Sequence, residues 1–294
     1  MLRWPMHEPV RIVKGAIGGD AGGGGTGGGE GGSEGGSDEA DSRGLNELPD
    51  GIERALEIPA SGLFVPAAWK PRLRGVYLAD VASAAECEWV VGEAERSVAS
   101  AGGGGWSADG HHDRYQTRDL VVADNEALTG WLNAKLREVI WPALAAQFGL
   151  HPSELWLQDA FIVRYEPDGQ RGLAPHLDDS ELSFNIALSD PHTFGGGGTG
   201  FGAVGQTLRP QQGQMVSHFG RIFHAGEPVT SGTRHILAGF VCARSLAKEW
   251  RELRPQSGQT ETFEAAAPDE AEQQRASRFD EEHRFGRHGA CIEP

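Results

Sequence analysis

The sequence predicts a mainly β domain, a sandwich or barrel in outline, with flanking helices. Short apolar runs rich in β-branched and aromatic residues follow one another after Leu150, separated by Gly, Pro and Asp. No helical pattern lies between these runs, so a parallel sheet with crossover helices does not fit. Two patterns with helical spacing occur earlier in the chain.

The predicted strands are short and closely spaced, which is typical of antiparallel sandwiches and barrels. One of them carries His176, and a short strand at Gly75 to Leu78 begins the folded region. The others are Leu155 to Leu157, Ala160 to Tyr165, Leu182 to Ser189, Gln214 to Phe219 and Ile236 to Ala243.

Two helices precede the β-rich half. The first begins at Ser83-Ala84-Ala85-Glu86, a capping box in which hydroxyl and carboxylate bind free backbone amides. The second begins after Asn125 and ends at Gly149. Their apolar residues recur at steps of three and four, so each helix presents one apolar stripe to the core. We interpret both as supports without chemistry of their own.

Four segments follow from composition. Residues 1–47 are a glycine-rich segment with little to bury, which predicts a disordered linker. Residues 48–74 are transitional, residues 75–247 form the folded domain, and residues 248–294 are a mostly disordered acidic tail.

Charge and hydropathy exclude several functions. The 294 residues carry a formal charge of −16, which disfavours binding to phosphate backbones, so we expect no nucleic-acid partner. No apolar run reaches the length of about 18 residues that a membrane span needs. The first residues lack the apolar centre of a secretory signal, and we expect a soluble, intracellular protein.

Three residues predict a metal centre. In Pro175-His176-Leu177-Asp178, alternation along a strand would direct His176 and Asp178 to the same side. His224 lies downstream and would complete a set of two imidazoles and one carboxylate. Such a set leaves coordination positions open on Fe(II), where an organic cosubstrate and O₂ can bind together.

Other histidines compete for these roles. His218 is the main rival of His224 and is otherwise a core or supporting histidine, while His192 lies in a turn. His235 should point away from the side that Arg234 faces. The pair His111-His112 also suggests a metal site, but a solvated turn or a loop at the mouth of a pocket fits it better.

Arg234 predicts the cosubstrate. It begins an alternating run in which its guanidinium shares a face with apolar side chains, where a buried cation needs a carboxylate partner. A dicarboxylate such as 2-oxoglutarate could chelate iron at one end and bind Arg234 at the other. Tyr165 lies on a neighbouring strand and is either a hydrogen-bond donor to the same molecule or a tyrosine at the edge of the core.

These motifs carry a resemblance to a known family. The region from Gly75 to Arg244 resembles the Fe(II)/2-oxoglutarate dioxygenases of the prolyl/lysyl hydroxylase type, which fold as a double-stranded β-helix, a jelly-roll core similar to the cupins. Its later part is similar to the catalytic domain of procollagen lysyl hydroxylases. The matching blocks occur in family order: Phe161 to Tyr165, Pro175 to Asp178, Ser183 to Leu188, Gly196 to Phe201 and Gly226 to Arg234.

The resemblance implies roles and a reaction. His176, Asp178 and His224 would be iron ligands and Arg234 the 2-oxoglutarate anchor. Reaction with O₂ would release succinate and CO₂ and hydroxylate lysine or proline in a peptide or protein, with ascorbate needed to restore oxidised iron. One departure is Gly195, which stands where the family often has an acidic residue.

Two alternatives from other classes remain at this point. A catalytically silent double-stranded β-helix could bind a ligand or a protein partner. A cupin-like isomerase or hydrolase with another metal would have no need of Arg234.

Overall fold

A computed structural model describes residues 48–63, 73–100, 106 and 117–253, and only the backbone of residues 250–253. The glycine-rich N-terminal segment, the histidine pair at positions 111 and 112 and most of the acidic tail lie outside the described residues. In the described part of the chain, no helix is both long enough and apolar enough to cross a membrane.

The described residues form four α-helices and thirteen strands. The helices are α1 (Ala84–Ser100), α2 (Glu126–Lys135), α3 (Trp141–Phe148) and α4 (Arg244–Leu253). The strands are β1 (Ile52–Glu57), β2 (Gly75–Asp80), β3 (Asp119–Val121), β4 (Leu155–Tyr165), β5 (Leu173–His176), β6 (Leu182–Ala187), β7 (Gly195–Gly196), β8 (Thr199–Phe201), β9 (Gln206–Leu208), β10 (Gln214–Phe219), β11 (His224–Gly226), β12 (Val229–Ser231) and β13 (Arg234–Ala243).

Two antiparallel sheets make up the core. The larger has seven strands in the order β1-β2-β10-β6-β13-β4-β3, and the smaller has four in the order β5-β11-β8-β9. Non-consecutive neighbours in both sheets mean that the chain crosses repeatedly between them, as in a jelly roll. The predicted double-stranded β-helix with flanking helices is confirmed.

Alternation along β13 separates two apolar clusters. Leu237 and Val241 belong to the large cluster that includes the helices, whereas Ile236 belongs to a smaller one with Tyr165 and Val229. Successive side chains of a strand point to opposite faces of the sheet. The smaller cluster therefore lies on the face of the seven-stranded sheet that carries Arg234.

Local signals in the sequence located the helix starts. Ser83 Oγ accepts the Glu86 N–H and the Glu86 carboxylate accepts the Ser83 N–H, which confirms the capping box. Asn125 Oδ1 accepts the Leu128 N–H at 3.0 Å. The second helix is interrupted, because a π-helical segment, Leu136–Ile140, joins α2 to α3 ahead of Pro142.

Three features differ from the sequence-based expectations. β1 pairs with β2, so the sheet includes part of the segment predicted to be transitional. The two strands predicted after Leu150 are one continuous strand, β4. β5 ends at His176, so Asp178 lies in the following loop, and the expectation of one strand carrying both residues is wrong.

Candidate functional site

The three candidate metal ligands come from two neighbouring strands and one loop. His176 ends β5 and His224 begins β11, and the two are directly paired in the ladder between these strands. Directly opposed residues in an antiparallel pair share a face, which brings the two rings together at a centroid distance of 4.3 Å. Asp178 is held beside them because its backbone N–H donates to Gly220 O at 3.0 Å.

The donor atoms converge on one point. One donor atom from each of the three residues lies within 4.8 Å of the others, and all three residues are buried. Asp178 Oδ1 is 3.3 Å from His176 Nε2, and Oδ2 is 3.6 Å from His224 Nε2. This is the grouping that the sequence predicted, although the role of each residue as a ligand stays a prediction.

Backbone carbonyls set the orientation of both rings. His176 Nδ1 lies 2.9 Å from Ala174 O, and His224 Nδ1 lies 2.9 Å from Ile222 O. A neutral imidazole that donates its Nδ1–H keeps the lone pair on Nε2. Both Nε2 atoms are therefore available to a cation beside Asp178.

Electrostatics favour a cation at this point. Burial alone would raise the pKa of Asp178, but the neighbouring imidazoles of His224 and His176 hold it well below its usual range. Burial lowers the pKa of His224 to about 3, so this ring is neutral at physiological pH. Burial also acts to lower the pKa of His176, but the bond to Asp178 raises it overall. A buried carboxylate beside a neutral imidazole is a donor set that a divalent cation would neutralise.

Arg234 provides the second part of the site. Its side chain is 4% exposed, and no carboxylate in the described part of the chain lies within salt-bridge distance of it. Burial lowers the pKa of Arg234 from its ordinary value, yet a guanidinium keeps its charge in a protein. A buried cation with no anionic partner among the described residues fits the binding of a carboxylate from a ligand.

Tyr165 lies directly beside Arg234. The two residues are paired between β4 and β13, and the guanidinium carbon lies 5.5 Å from the centre of the phenol ring. Burial raises the pKa of Tyr165, so its hydroxyl stays protonated. No described residue forms a hydrogen bond with that hydroxyl, and Tyr165 also belongs to the smaller apolar cluster. Both interpretations of Tyr165, ligand donor and core residue, therefore remain compatible with its position.

The competing histidines occupy other positions. His218 is buried against His224 but lies outside the set of converging donor atoms. His192 is exposed in a turn. His235 is on the opposite face of β13 from Arg234, and its Nε2 lies 3.2 Å from Glu95 Oε1 on α1.

Asn185 is a candidate that the sequence reasoning missed. It is opposite Ala238 in the pairing of β6 with β13, so it faces the smaller apolar cluster and the interior of the barrel. The side chain is 8% exposed, and its Oδ1 has no hydrogen-bond partner among the described residues. An amide side chain within a mostly apolar, fully buried strand is the signal that marks it, since a buried amide needs a partner from the protein, water or a ligand.

The fold and the site together define a class. A jelly roll that holds two imidazoles and a carboxylate at one point, with a buried arginine in the same barrel, is the architecture of iron- and 2-oxoglutarate-dependent oxygenases. Fe(II) fits the donor set, and 2-oxoglutarate fits the charge of Arg234.

Comparison with known proteins gives the particular resemblance. The chain is 33% identical over 150 residues to human procollagen-lysine,2-oxoglutarate 5-dioxygenase 2, covering 47% of this chain and 20% of that protein. It is 40% identical over 114 residues to the rat procollagen-lysine,2-oxoglutarate 5-dioxygenase 1, covering 37% of this chain and 14% of that protein. The chain thus spans about a fifth or less of the length of these relatives, which are themselves dioxygenases.

Solved structures resemble the chain only distantly. The viral collagen prolyl hydroxylase vCPH from Paramecium Bursaria Chlorella virus-1 is similar with a TM-score of 0.41 and 18% identity, covering 57% of this chain and 95% of that one. A 2OG-Fe(II) oxygenase family oxidoreductase from Burkholderia pseudomallei has a TM-score of 0.43 and 17% identity, with coverage of 57% and 87%. No protein-family model matches the chain.

Proposed function

We propose that this chain is an Fe(II)- and 2-oxoglutarate-dependent dioxygenase that hydroxylates a lysine or proline side chain in a peptide or protein, with release of succinate and CO₂. The observation that carries the proposal is the presence, in one barrel, of three converging buried ligand atoms and a buried arginine without a carboxylate partner among the described residues. The curated relatives act on procollagen lysine by name, which supports this substrate class.

Each part of the site has a task in this proposal. His176, Asp178 and His224 hold the metal, and the carbonyl bonds of both Nδ1 atoms keep the Nε2 lone pairs directed at it. When bound, Fe(II) supplies a centre that activates O₂ for the oxidation of a C–H bond. Arg234 binds the distal carboxylate of 2-oxoglutarate, so that the keto-acid end is oriented toward the three ligands.

The walls of the barrel exclude water from this chemistry. Phe161, Val163 and Ile236 are buried on the same face of the sheet as Arg234 and Tyr165. An apolar wall lowers the local dielectric, which strengthens the interaction between a guanidinium and a bound carboxylate.

Spectroscopy tests the proposed metal and cosubstrate. Anaerobic addition of Fe(II) and 2-oxoglutarate to the purified protein should produce a visible charge-transfer absorption, and admission of O₂ should release succinate. His224→Ala should abolish the absorption. A wild-type protein that gives neither the absorption nor succinate would favour the silent binding module.

Arg234→Lys separates the anchor from the metal site. We expect it to weaken 2-oxoglutarate binding on the order of tenfold and to leave metal affinity unchanged, because a point charge replaces a two-pronged donor. Titration of 2-oxoglutarate into the metal-loaded protein measures this. Arg96→Lys, on the exposed surface of α1, is the matched control. Equal losses of metal and 2-oxoglutarate affinity would contradict the assignment.

The substrate class needs its own measurement. Peptides that carry lysine or proline in otherwise identical sequences should be incubated with the active enzyme and analysed by mass spectrometry. Gain of one oxygen atom on either residue, matched by succinate, supports the proposal. Succinate formation without oxidation of any peptide would point to another substrate.

A further inference from the structure

His218 is a buried imidazole beside the candidate ligands that the proposed reaction does not use. It lies on β10, is 1% exposed, and is opposite Ser183 in the pairing of β10 with β6. Its ring centroid is 4.3 Å from that of His224, at an interplanar angle of 59°. Phe201 of β8 meets the His218 ring edge to face at 5.6 Å.

The ring nitrogens of His218 form no hydrogen bond with His224, the candidate metal ligand that the ring contacts. Nδ1 lies 2.9 Å from Phe219 O, the carbonyl of the next residue. Within the described residues, Nε2 of His218 has no hydrogen-bond partner. His218 is also absent from the set of donor atoms that converge with Asp178. Its contact with His224 is therefore made by the ring itself.

The backbone around His224 orients the ring but leaves its faces to be held by neighbouring side chains. β11 is only three residues long, and its pairing with β5 is irregular between His224 and Gly226. Among the described residues, one hydrogen bond, from Nδ1 to Ile222 O, orients the imidazole, and no hydrogen bond acts on the faces of the ring. Packing by neighbouring rings must supply the remaining restraint.

We propose that His218 is a positioning residue: its ring, fixed by the bond to Phe219 O and by Phe201, packs against His224 and holds the His224 Nε2 toward the metal. This inference rests on the proposed role of His224 as a metal ligand. His218 itself does not bind the metal, and its ring shape matters more than its nitrogens.

Two substitutions separate ring packing from hydrogen bonding. His218→Phe keeps an aromatic ring and removes the Nδ1 donor, whereas His218→Asn keeps a polar donor and removes the ring. His192→Asn, at an exposed histidine, is the control. Co(II) is the probe, because its affinity and its visible d–d absorption report ligand geometry without any turnover.

We expect His218→Asn to weaken Co(II) affinity on the order of tenfold or more and to change the d–d spectrum. His218→Phe should bind Co(II) with an affinity and a spectrum close to those of wild type, and so should His192→Asn. Urea unfolding of each metal-free variant establishes that the fold is retained. Should the larger Phe ring prevent folding, His218→Leu takes its place, with partial retention of affinity expected.

Other outcomes overturn the inference in different ways. Unchanged Co(II) affinity and spectrum in His218→Asn would show that His224 needs no support from this ring. Loss of Co(II) binding in folded His218→Phe or His218→Leu would show that a nitrogen of His218 is required, as for a ligand. If wild type binds no Co(II), the proposed metal site fails, and this inference fails with it.

Discussion

Asn185 shows what one buried polar side chain contributes. Its Oδ1 is buried without a hydrogen-bond partner in the part of the chain that the structure describes, on the barrel face that also carries Ala238. Burial of an unpartnered amide costs stability, so the residue is better suited to contact a ligand or an ordered water than to support the fold.

Replacement of Asn185 by leucine tests this at the level of the residue. We expect Asn185→Leu to leave the free energy of unfolding unchanged or to raise it by about 1 kcal/mol, because no protein hydrogen bond is lost. The same variant should bind 2-oxoglutarate more weakly than wild type. Urea unfolding and ligand titration measure the two effects.

Ser217→Ala is the contrasting control. Ser217 Oγ donates to Gln147 Oε1 at 2.6 Å in the core, so its removal should lower the free energy of unfolding by about 1–2 kcal/mol. A loss of similar size in Asn185→Leu would mean that the asparagine has a structural partner, which would contradict the expectation.

At the scale of elements, the glycine run Gly195 to Gly198 lets the backbone pass close to Arg234. Gly197 has a φ of +66°, and a Cβ on it would lie 3.1 Å from Arg234 Cδ and 2.9 Å from the ring of Phe194. A left-handed conformation and close contact on two sides both require glycine at this position. The loop between β7 and β8 thus forms part of the wall that positions the guanidinium.

Gly197→Ala should therefore act on both stability and binding. Gly205 offers a matched control, because its φ is +61° and a Cβ there would meet nothing within 4 Å. Gly205→Ala should cost about 1–2 kcal/mol from backbone strain alone, and Gly197→Ala at least about 1 kcal/mol more from the added contacts. Only Gly197→Ala should weaken 2-oxoglutarate binding. Equal effects of the two substitutions in urea unfolding and titration would rule out the close approach.

At the scale of the whole molecule, buried imidazoles couple folding to pH. Burial lowers the pKa of His218, His224 and His235 in the folded protein. Glu95 and Arg164 lie beside His235, and the attraction of Glu95 only partly offsets burial. His176 differs, because Asp178 raises its pKa.

The metal-free protein should therefore lose stability as the pH falls. Below about 6.5 the unfolded chain protonates its histidines, while His224, whose pKa in the fold is lowered to about 3, stays neutral; the lowered pKa values of His218 and His235 act in the same direction. His176 acts in the opposite sense, since its stabilisation is present below that pH and is lost as the pH rises. Below about pH 6.5 the His176 contribution is constant, so the free energy of unfolding should fall by about 1 kcal/mol per pH unit or more between about pH 6.5 and 5.

Urea unfolding at neutral and at acidic pH measures this dependence. His235→Gln should make it shallower, because that substitution removes one of the three sites and lies outside the candidate metal centre. Stability that stays constant or rises on acidification would contradict the expected sign.

Local rules in the sequence determined much of this protein. The capping residues Ser83 and Asn125, the apolar alternation of β13 and the candidates His176, Asp178, His224 and Arg234 could all be found from spacing and residue type. The two antiparallel sheets agree with the predicted class of fold, and the structure brings the candidate ligands together. The caps and the strand alternation depend on neighbours a few residues apart, and the four candidates depend on residue type and order along the chain, which the sequence shows directly.

The tertiary structure alone decided the rest. Pairing of β1 with β2, convergence of Asp178 with His224 rather than His218, and the unpartnered amide of Asn185 all depend on contacts between distant segments. Strand register and loop path set such contacts, and a shift of one residue would turn each side chain to the other face. For that reason the sequence left His218 and His224 as rivals for the third ligand position. The packing of the sheets places His224 beside Asp178 and His218 against the His224 ring.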